Sequence, residues 1–238
     1  MKNNFPQPER VLVIVAHPDD PEFGAAGTVA LWAAQGAEVT YVIVTDGSKG
    51  SAEKEMTRQK LVALREQEQQ NAADAVGVTN LVFLRQPDGE IENNDHLREL
   101  IVRQIRTHRP DVLLTHDPTA RIVADQRLNH RDHRTVGDAT LDAVFPLARD
   151  RLNYPAHEAE GLEPHKVLDI FLIFSNQPNY WVDISSTIEK KIQSLQAHAS
   201  QIGHMEDLPE AIRQRGRDVA EHMSFDFGET FRRVQLAR

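Results

Sequence analysis

The sequence predicts an α/β protein built on a mostly parallel sheet with helices on both faces. Three observations carry this. Apolar runs of strand length alternate with stretches of helical periodicity up to about residue 150. The first run, "RVLVIVAH", is continuously apolar rather than alternating, which marks a strand buried on both faces. Repeated strand–helix units of this length fit right-handed crossovers between parallel strands.

The elements follow in order. After "RVLVIVAH", Phe23, Ala26, Ala30 and Ala33 recur at helical spacing, and Gly36 supplies a stop. "EVTYVIVTDG" reads as the second strand. Leu61, Leu64, Ala72, Ala75 and Val76 predict a long second helix closed by Gly77. "NLVFL" is the third strand, and Leu97, Leu100, Ile101 and Ile105 mark the third helix. "DVLLTH" is the fourth strand. Val136, Thr140, Ala143 and Leu147 predict a fourth helix starting near Asp132. Then the rhythm loosens. "RDRLNYPAHEAEGLEPHK" reads as an exposed connection, "VLDIFLIF" and "YWVDI" as strands, and Ile188, Ile192, Leu195 and Ala199 as a helical stripe. "DLPEAIRQRGRDVAEHM" is a further helix, and the tail docks through Phe225, Phe227 and Phe231. The expectation is one domain over residues 1–238, with a core at about 9–150 and a C-terminal strand and helix extension at about 151–238.

Composition narrows the function. The chain is 40% hydrophobic and 26% charged, with a net charge of −9, which is ordinary for a globular protein and gives no nucleic-acid footprint. There are no cysteines, so disulfides, iron–sulfur clusters and thiolate zinc sites are excluded. Any metal is held by His, Asp and Glu. "MKNNFPQPER" lacks a signal-peptide pattern, and no apolar run approaches the ~20 residues of a membrane span. The expected setting is the cytoplasm.

Two clusters stand out. His17, Asp19 and Asp20 follow the first strand, where ligands bind in open parallel sheets. His17 and Asp20 are three apart across a turn and can converge on one ion, leaving Asp19 free as a base. The bland alternative is that Asp19 or Asp20 caps the next helix. His130, Asp132 and His133 follow the fourth strand, toward the same cleft. One histidine is a candidate third ligand. The other is a candidate substrate contact, with Asp132 fixing its tautomer. His116, in "LLTHDP", reads as a satisfied strand-end histidine, and Trp32, Tyr180 and Trp181 as packing residues. "SKGSAEKEMTRQK" is a solvated loop or a lid.

"AHPDD" followed by "HRDH" resembles the PIG-L/LmbE-like zinc-dependent N-acetylglucosaminyl deacetylases. "TDGSKG", "LREQE", "PDGEI" and "VDISSTIEKKIQSLQAHASQ" extend the resemblance over almost the whole chain. It implies a Rossmann-like sheet and hydrolysis of an acetamide on an amino sugar. It implies His17, Asp20 and His133 as zinc ligands, Asp19 as general base, and His130 partnered by Asp132 as the group that stabilises or protonates the intermediate. Arg65, Asp88 and His198 are the implied substrate contacts, His198 near a position that in some members reaches an active site, a neighbouring subunit's included. The departures from the family pattern, Pro21, Arg131 and Ala199, leave every implied ligand in place. A His₂Asp set with open positions also admits Fe(II), Co(II) or Mn(II). The implied partner is a small N-acetylated sugar or glycoconjugate, with a homo-oligomer possible and no nucleic acid or membrane. The competing readings are an amidase acting on thiol or sugar conjugates and a magnesium phosphohydrolase. A nucleotide-binding enzyme is disfavoured because no G-x-G-x-x-G follows the first strand.

Overall fold

The computed structural model describes residues 5–123 and 125–237. The first four strands are β1 (Arg10–Val15), β2 (Glu38–Thr45), β3 (Asn80–Gln86) and β4 (Val112–His116), joined by α1 (Asp20–Ala34), α2 (Arg58–Val76) and α3 (Asp95–His108). A short hairpin follows, β5 (Ile122–Val123) with β6 (Arg127–Leu128), and then α4 (Arg131–Asp142) and α5 (Ala156–Ala159). The remainder is β7 (Asp169–Ile173), β8 (Tyr180–Asp183), α6 (Ile188–Gln196), α7 (Ala199–Ile202), α8 (Leu208–Ala220) and β9 (Gly228–Gln235).

The seven-stranded sheet runs β3-β2-β1-β4-β7-β9-β8. Strands β3 to β7 in that order are parallel, and β9 pairs antiparallel with both β7 and β8. The predicted mostly parallel α/β architecture is therefore the one found. Alternate residues of β1 feed two cores. Val11, Val13 and Val15 pack with α1, α2 and α6, while Leu12 and Ile14 pack with α3 and α4. Each such buried aliphatic contributes about 1.5–3 kcal/mol, so a polar residue on either face of β1 is strongly disfavoured.

Several expectations need correction. The fourth helix does not run to Leu147. It ends at Asp142 and passes into a wider turn at Ala143–Leu147, with Phe145 non-helical before Pro146. Proline lacks the amide that a continuing helix needs, and the apolar spacing hid that. The tail is more than a docked segment: β9 inserts between β7 and β8, with Phe231 fully buried. The supposedly exposed connection contains α5, whose His157 is buried. Trp32 and Tyr180 lie in the core, as expected. Among the described residues no helix is long and apolar enough to cross a membrane.

The strand order reverses at β1, because β2 lies on one side and β4 on the other. Their ladder stops at Val13–Leu114. Beyond it the strands diverge, and a crevice opens past their carboxyl ends. The His116 ring fills the gap, its Nε2 accepting from the Ala16 amide at 3.1 Å. α4 presses on the end of β4 at Gly137, where a Cβ would lie 2.6 Å from the His116 carbonyl oxygen. Gly137→Ala is expected to push α4 off the sheet and cost about 1–3 kcal/mol of stability. Urea denaturation checks this, and an unchanged midpoint would refute the close approach.

Candidate active site

The chain turns sharply after β1. The His17 amide donates to Asp20 Oδ2 at 2.7 Å, and the Asp20 amide to the His17 carbonyl at 3.3 Å. Asp19 is left at φ 91°, ψ −25°, a region that side chains other than glycine rarely adopt. Its carboxylate makes no capping bond to α1. It accepts from Arg65 Nη2 at 3.2 Å instead, and its amide donates to Gln69 Oε1 at 3.0 Å. The capping alternative therefore does not describe this turn.

The two clusters meet. His17 Nδ1 lies 3.3 Å from His133 Nε2 and 3.4 Å from Asp20 Oδ2, and His133 Nε2 lies 3.1 Å from Asp20 Oδ1. The outer ring nitrogens fix the tautomers. His17 Nε2 faces Asp88 Oδ1 at 3.3 Å and Asp132 Oδ2 at 3.4 Å. His133 Nδ1 faces Asn129 Oδ1 at 3.1 Å, and the Asn129 amide is oriented by donating to the Ala120 carbonyl at 2.7 Å. Those oxygens only accept, so a neutral ring carries its proton on the outer nitrogen. The inner nitrogens are then bare acceptors, and Asp20 Oδ1 beside them is an acceptor too. Acceptors gathered this closely suit a cation. Donors bonded at about 2.0–2.1 Å in tetrahedral geometry lie about 3.3 Å apart, which is the spacing found here.

Among the described residues, the groupings able to hold a metal are His17/His130/His133, Asp20/His116/His133 and His17/Asp88/Asp132. The set implied by the resemblance cuts across the first two. In the third, both carboxylates face the protonated edge of His17, an outer hydrogen-bonding role. His116 belongs to this cluster, unlike the satisfied strand-end residue expected. Its Nε2 is 3.2 Å from Asp20 Oδ2, and its ring stacks on His133 with centroids 4.1 Å apart.

Asp132 does not partner His130. Its Oδ2 faces His17 and accepts from the Gly89 amide at 2.7 Å. The His130 side chain itself caps α4, Nδ1 accepting from the Asp132 amide at 3.2 Å. That bond places the proton of neutral His130 on Nε2, with His130, His17, Asp19 and Asp88 lining one cavity of about 400 Å³. A capping histidine was not legible from spacing, because imidazole is not a usual cap.

The three implied substrate contacts are differently placed. Arg65 lines the cavity, but its guanidinium is engaged by the Pro18 and Gly47 carbonyls at 2.6 and 3.0 Å as well as by Asp19. A Cβ at Gly47 would come within 2.8 Å of Arg65 Nη1, so the bare glycine lets the guanidinium in. Asp88 lines the cavity too, yet its oxygens are occupied by His17 and the Lys49 amide. His198 is fully buried and pairs with Glu22 at 3.1 Å, so it offers no surface to a substrate. Glu22 accepts in turn from Gln69, which holds the Asp19 amide. Gln69 and Asn129 were missed, although both carried a signal. Gln69 stands four after Arg65 on α2, the spacing that shares a helix face, and Asn129 stands four before His133, just ahead of the start of α4.

Residues 12–144 match the family model described as PIG-L, GlcNAc-PI de-N-acetylase. The chain belongs to the PIG-L family. It is 32% identical over 197 residues to a diacetylchitobiose deacetylase of Thermococcus kodakarensis, covering 83% of this chain and 72% of that one. It is 27% identical to a probable N-acetyl-alpha-D-glucosaminyl L-malate deacetylase 2 of Bacillus anthracis, covering 84% and 83%. The fold matches N,N'-diacetylchitobiose deacetylase from Pyrococcus horikoshii, solved with its inhibitor MPG, at a TM-score of 0.89 and 28% identity over 98% of this chain and 86% of that one. The PIG-L family is metal-dependent, and this member has a His/Asp candidate metal site.

The electrostatics of the PIG-L site are set by burial and by these pairings. Burial pushes the Asp19 carboxyl up to about 7, the Asp20 charge adding and Arg65 opposing. Burial also pushes Asp20 up, but His133 and His116 together outweigh it and hold Asp20 well below the usual carboxylate range. For His17, burial acts downward, and hydrogen bonds to Asp132, Asp20 and Asp88 outweigh it, raising the imidazole well above its ordinary value. Burial and then the His17 charge lower His130, favouring the neutral ring.

Removing an outer partner tests the tautomer assignment. Asn129→Ala and Asp132→Ala are each expected to weaken metal affinity about 10- to 100-fold. His130→Ala is expected to leave it unchanged. Competition against a chromophoric chelator checks both, and equal affinity in all three variants would contradict the arrangement.

Proposed function

We propose that the chain is a zinc-dependent N-deacetylase that removes the acetyl group from an N-acetylglucosamine-type sugar or glycoconjugate. One observation carries the reading. The acceptors of His17, Asp20 and His133 gather within 3.1–3.4 Å, while Asp19 is tied to Arg65 beside them. The family match and the deacetylase relatives support it. His₂Asp is a borderline-to-hard donor set that suits zinc, with Fe(II), Co(II) and Mn(II) as further candidates.

His17, Asp20 and His133 would hold the cation. When bound there, it would supply Lewis-acid chemistry, polarising the acyl oxygen and acidifying water. The chain's own groups do the rest. Asp19 sits beside the triad in a buried setting and takes a proton from the attacking water. Arg65 and Gln69 keep it in its unusual backbone conformation and away from the α1 amides. His130 presents Nε2–H to the acyl oxygen as negative charge develops, a contribution of about 10²–10³ in rate for one well-aimed donor. Asp19, once protonated, carries the proton that the departing amine needs. Water thereby adds to the acetyl carbon, the carbon–nitrogen bond breaks, and acetate and a free amine leave.

The experiment is acetate release from N-acetylglucosamine and N,N'-diacetylchitobiose, with and without chelator. Turnover that stops with chelator and returns with zinc supports the reading. Undiminished turnover in excess chelator would overturn it. Asp19→Ala is expected to keep its metal while kcat falls by about 10²–10⁴. His17→Ala is expected to lose the metal itself, as read by elemental analysis.

A further inference from the structure

Two fully buried polar side chains, Glu22 and His198, line neither cavity beside the His/Asp cluster. His198 stands at the start of α7, outside the residues 12–144 that match the family model. Its Nε2 donates to Glu22 Oε2 at 3.1 Å, and its Nδ1 is buried with no hydrogen-bond partner among the described residues. A buried nitrogen left unpartnered costs stability, and an apolar side chain would fill the same space without that cost. Packing therefore does not account for an imidazole here, whereas the bond to Glu22 does.

Glu22 leads back to the proposed base. Its Oε1 accepts from Gln69 Nε2 at 3.0 Å, and Gln69 Oε1 accepts from the Asp19 amide at 3.0 Å. A carboxamide has an oxygen end and an NH₂ end of nearly the same shape, so packing alone does not choose between its two orientations. The Glu22 carboxylate chooses, because it only accepts. Turning Gln69 over would set its NH₂ against the Asp19 N–H and its oxygen against Glu22. The other side of the same peptide is held as well, the Pro18 carbonyl accepting from Arg65 Nη2 at 2.6 Å. The Pro18–Asp19 peptide is thus gripped at both polar atoms from α2, which keeps Asp19 at φ 91°. His198 is itself seated on α2. Ser200 donates through its amide and its hydroxyl to the two Glu68 oxygens at 2.7 and 2.6 Å. Gln201 donates to the Gly50 carbonyl at 3.0 Å, and Gly50 lines the same cavity as Asp19.

We propose that Glu22 and His198 are positioning residues for the deacetylation: His198 fixes Glu22, Glu22 fixes the Gln69 carboxamide, and Gln69 fixes the peptide that carries the Asp19 carboxylate. The inference rests on the reading of Asp19 as the base and extends its support to the C-terminal part of the chain. Gln69 meets the Asp19 amide rather than its carboxylate, so these contacts orient the base and carry no proton. Orientation matters to rate because a reacting group misplaced by about 1 Å costs about 10²-fold.

The test compares His198→Leu, which removes the donor, with His198→Gln, whose amide can return one to Glu22. Glu22→Leu/His198→Leu removes both partners and leaves no buried charge, so it serves where His198→Leu folds poorly. Two readouts are taken on zinc-loaded protein. One is kcat and KM for acetate release from N-acetylglucosamine and N,N'-diacetylchitobiose. The other is the Asp19 amide resonance of ¹⁵N-aspartate-labelled protein, which does not depend on turnover. In the leucine variants kcat is expected to fall about 10- to 100-fold, with KM and zinc content kept and the Asp19 resonance displaced. His198→Gln is expected to recover most of kcat and to return the resonance. Undiminished kcat in a folded leucine variant would overturn the positioning role. So would a fall in kcat with the Asp19 resonance unmoved, a loss carried by KM or zinc content alone, or a loss that His198→Gln does not relieve. If the unaltered protein releases no acetate from either sugar, the deacetylase reading fails, and the resonance alone decides the contacts: displacement in His198→Leu with return in His198→Gln upholds them, and an unmoved resonance overturns them.

Discussion

Acceptor groups crowded into one small volume repel each other in a protein interior unless a cation or a proton lies among them. His17 Nδ1, His133 Nε2 and the Asp20 carboxylate are crowded in this way, and their outer atoms explain why. Asp132 and Asp88 take the His17 proton to the far side of its ring, and Asn129 does the same for His133. A site whose outer layer forces lone pairs inward is organised for a positive charge. The rest of the cleft depends on that convergence. The proposed base role of Asp19 requires such a centre beside it, and the proposed donor role of His130 requires an acyl oxygen held there.

The sheet makes the convergence stable. β1 is buried on both faces, so its carboxyl end cannot drift, and the strand reversal next to it opens the crevice. α4 is brought close by the bare Gly137, which sets His133 against His116. α2 adds Arg65 and Gln69 from the other side and pins Asp19 at positive φ. Strain of about 1–3 kcal/mol at such a residue persists only where its neighbours over-determine it, and the Arg65 and Gln69 bonds do so here. The chain stores that strain at the position proposed to move a proton.

Much of this was legible in the sequence. Unbroken apolar strands and helical spacing gave the parallel sheet, and two His/Asp clusters at strand ends indicated one rim. What spacing could not give was partner choice. Asp132 lies two residues from His130, yet helix geometry turns its carboxylate toward His17, so sequence proximity misassigned it. His198 carries a polar label, but its burial against Glu22 is a tertiary fact. His116 looked like a strand end because nothing local reveals that the β1–β4 ladder stops short. β9 read as a loose aromatic tail, since a strand that pairs with β7 and β8 is defined by distant neighbours.

The most direct measurement is anomalous diffraction from a zinc-loaded crystal, recorded on both sides of the zinc absorption edge. The expected result is one strong peak per chain, within bonding distance of His17 Nδ1, Asp20 and His133 Nε2, with Asp19 outside the coordination sphere. A peak on the other side of the His17 ring, between Asp88 and Asp132, would contradict the account, as would a crystal that takes up no zinc at the cleft.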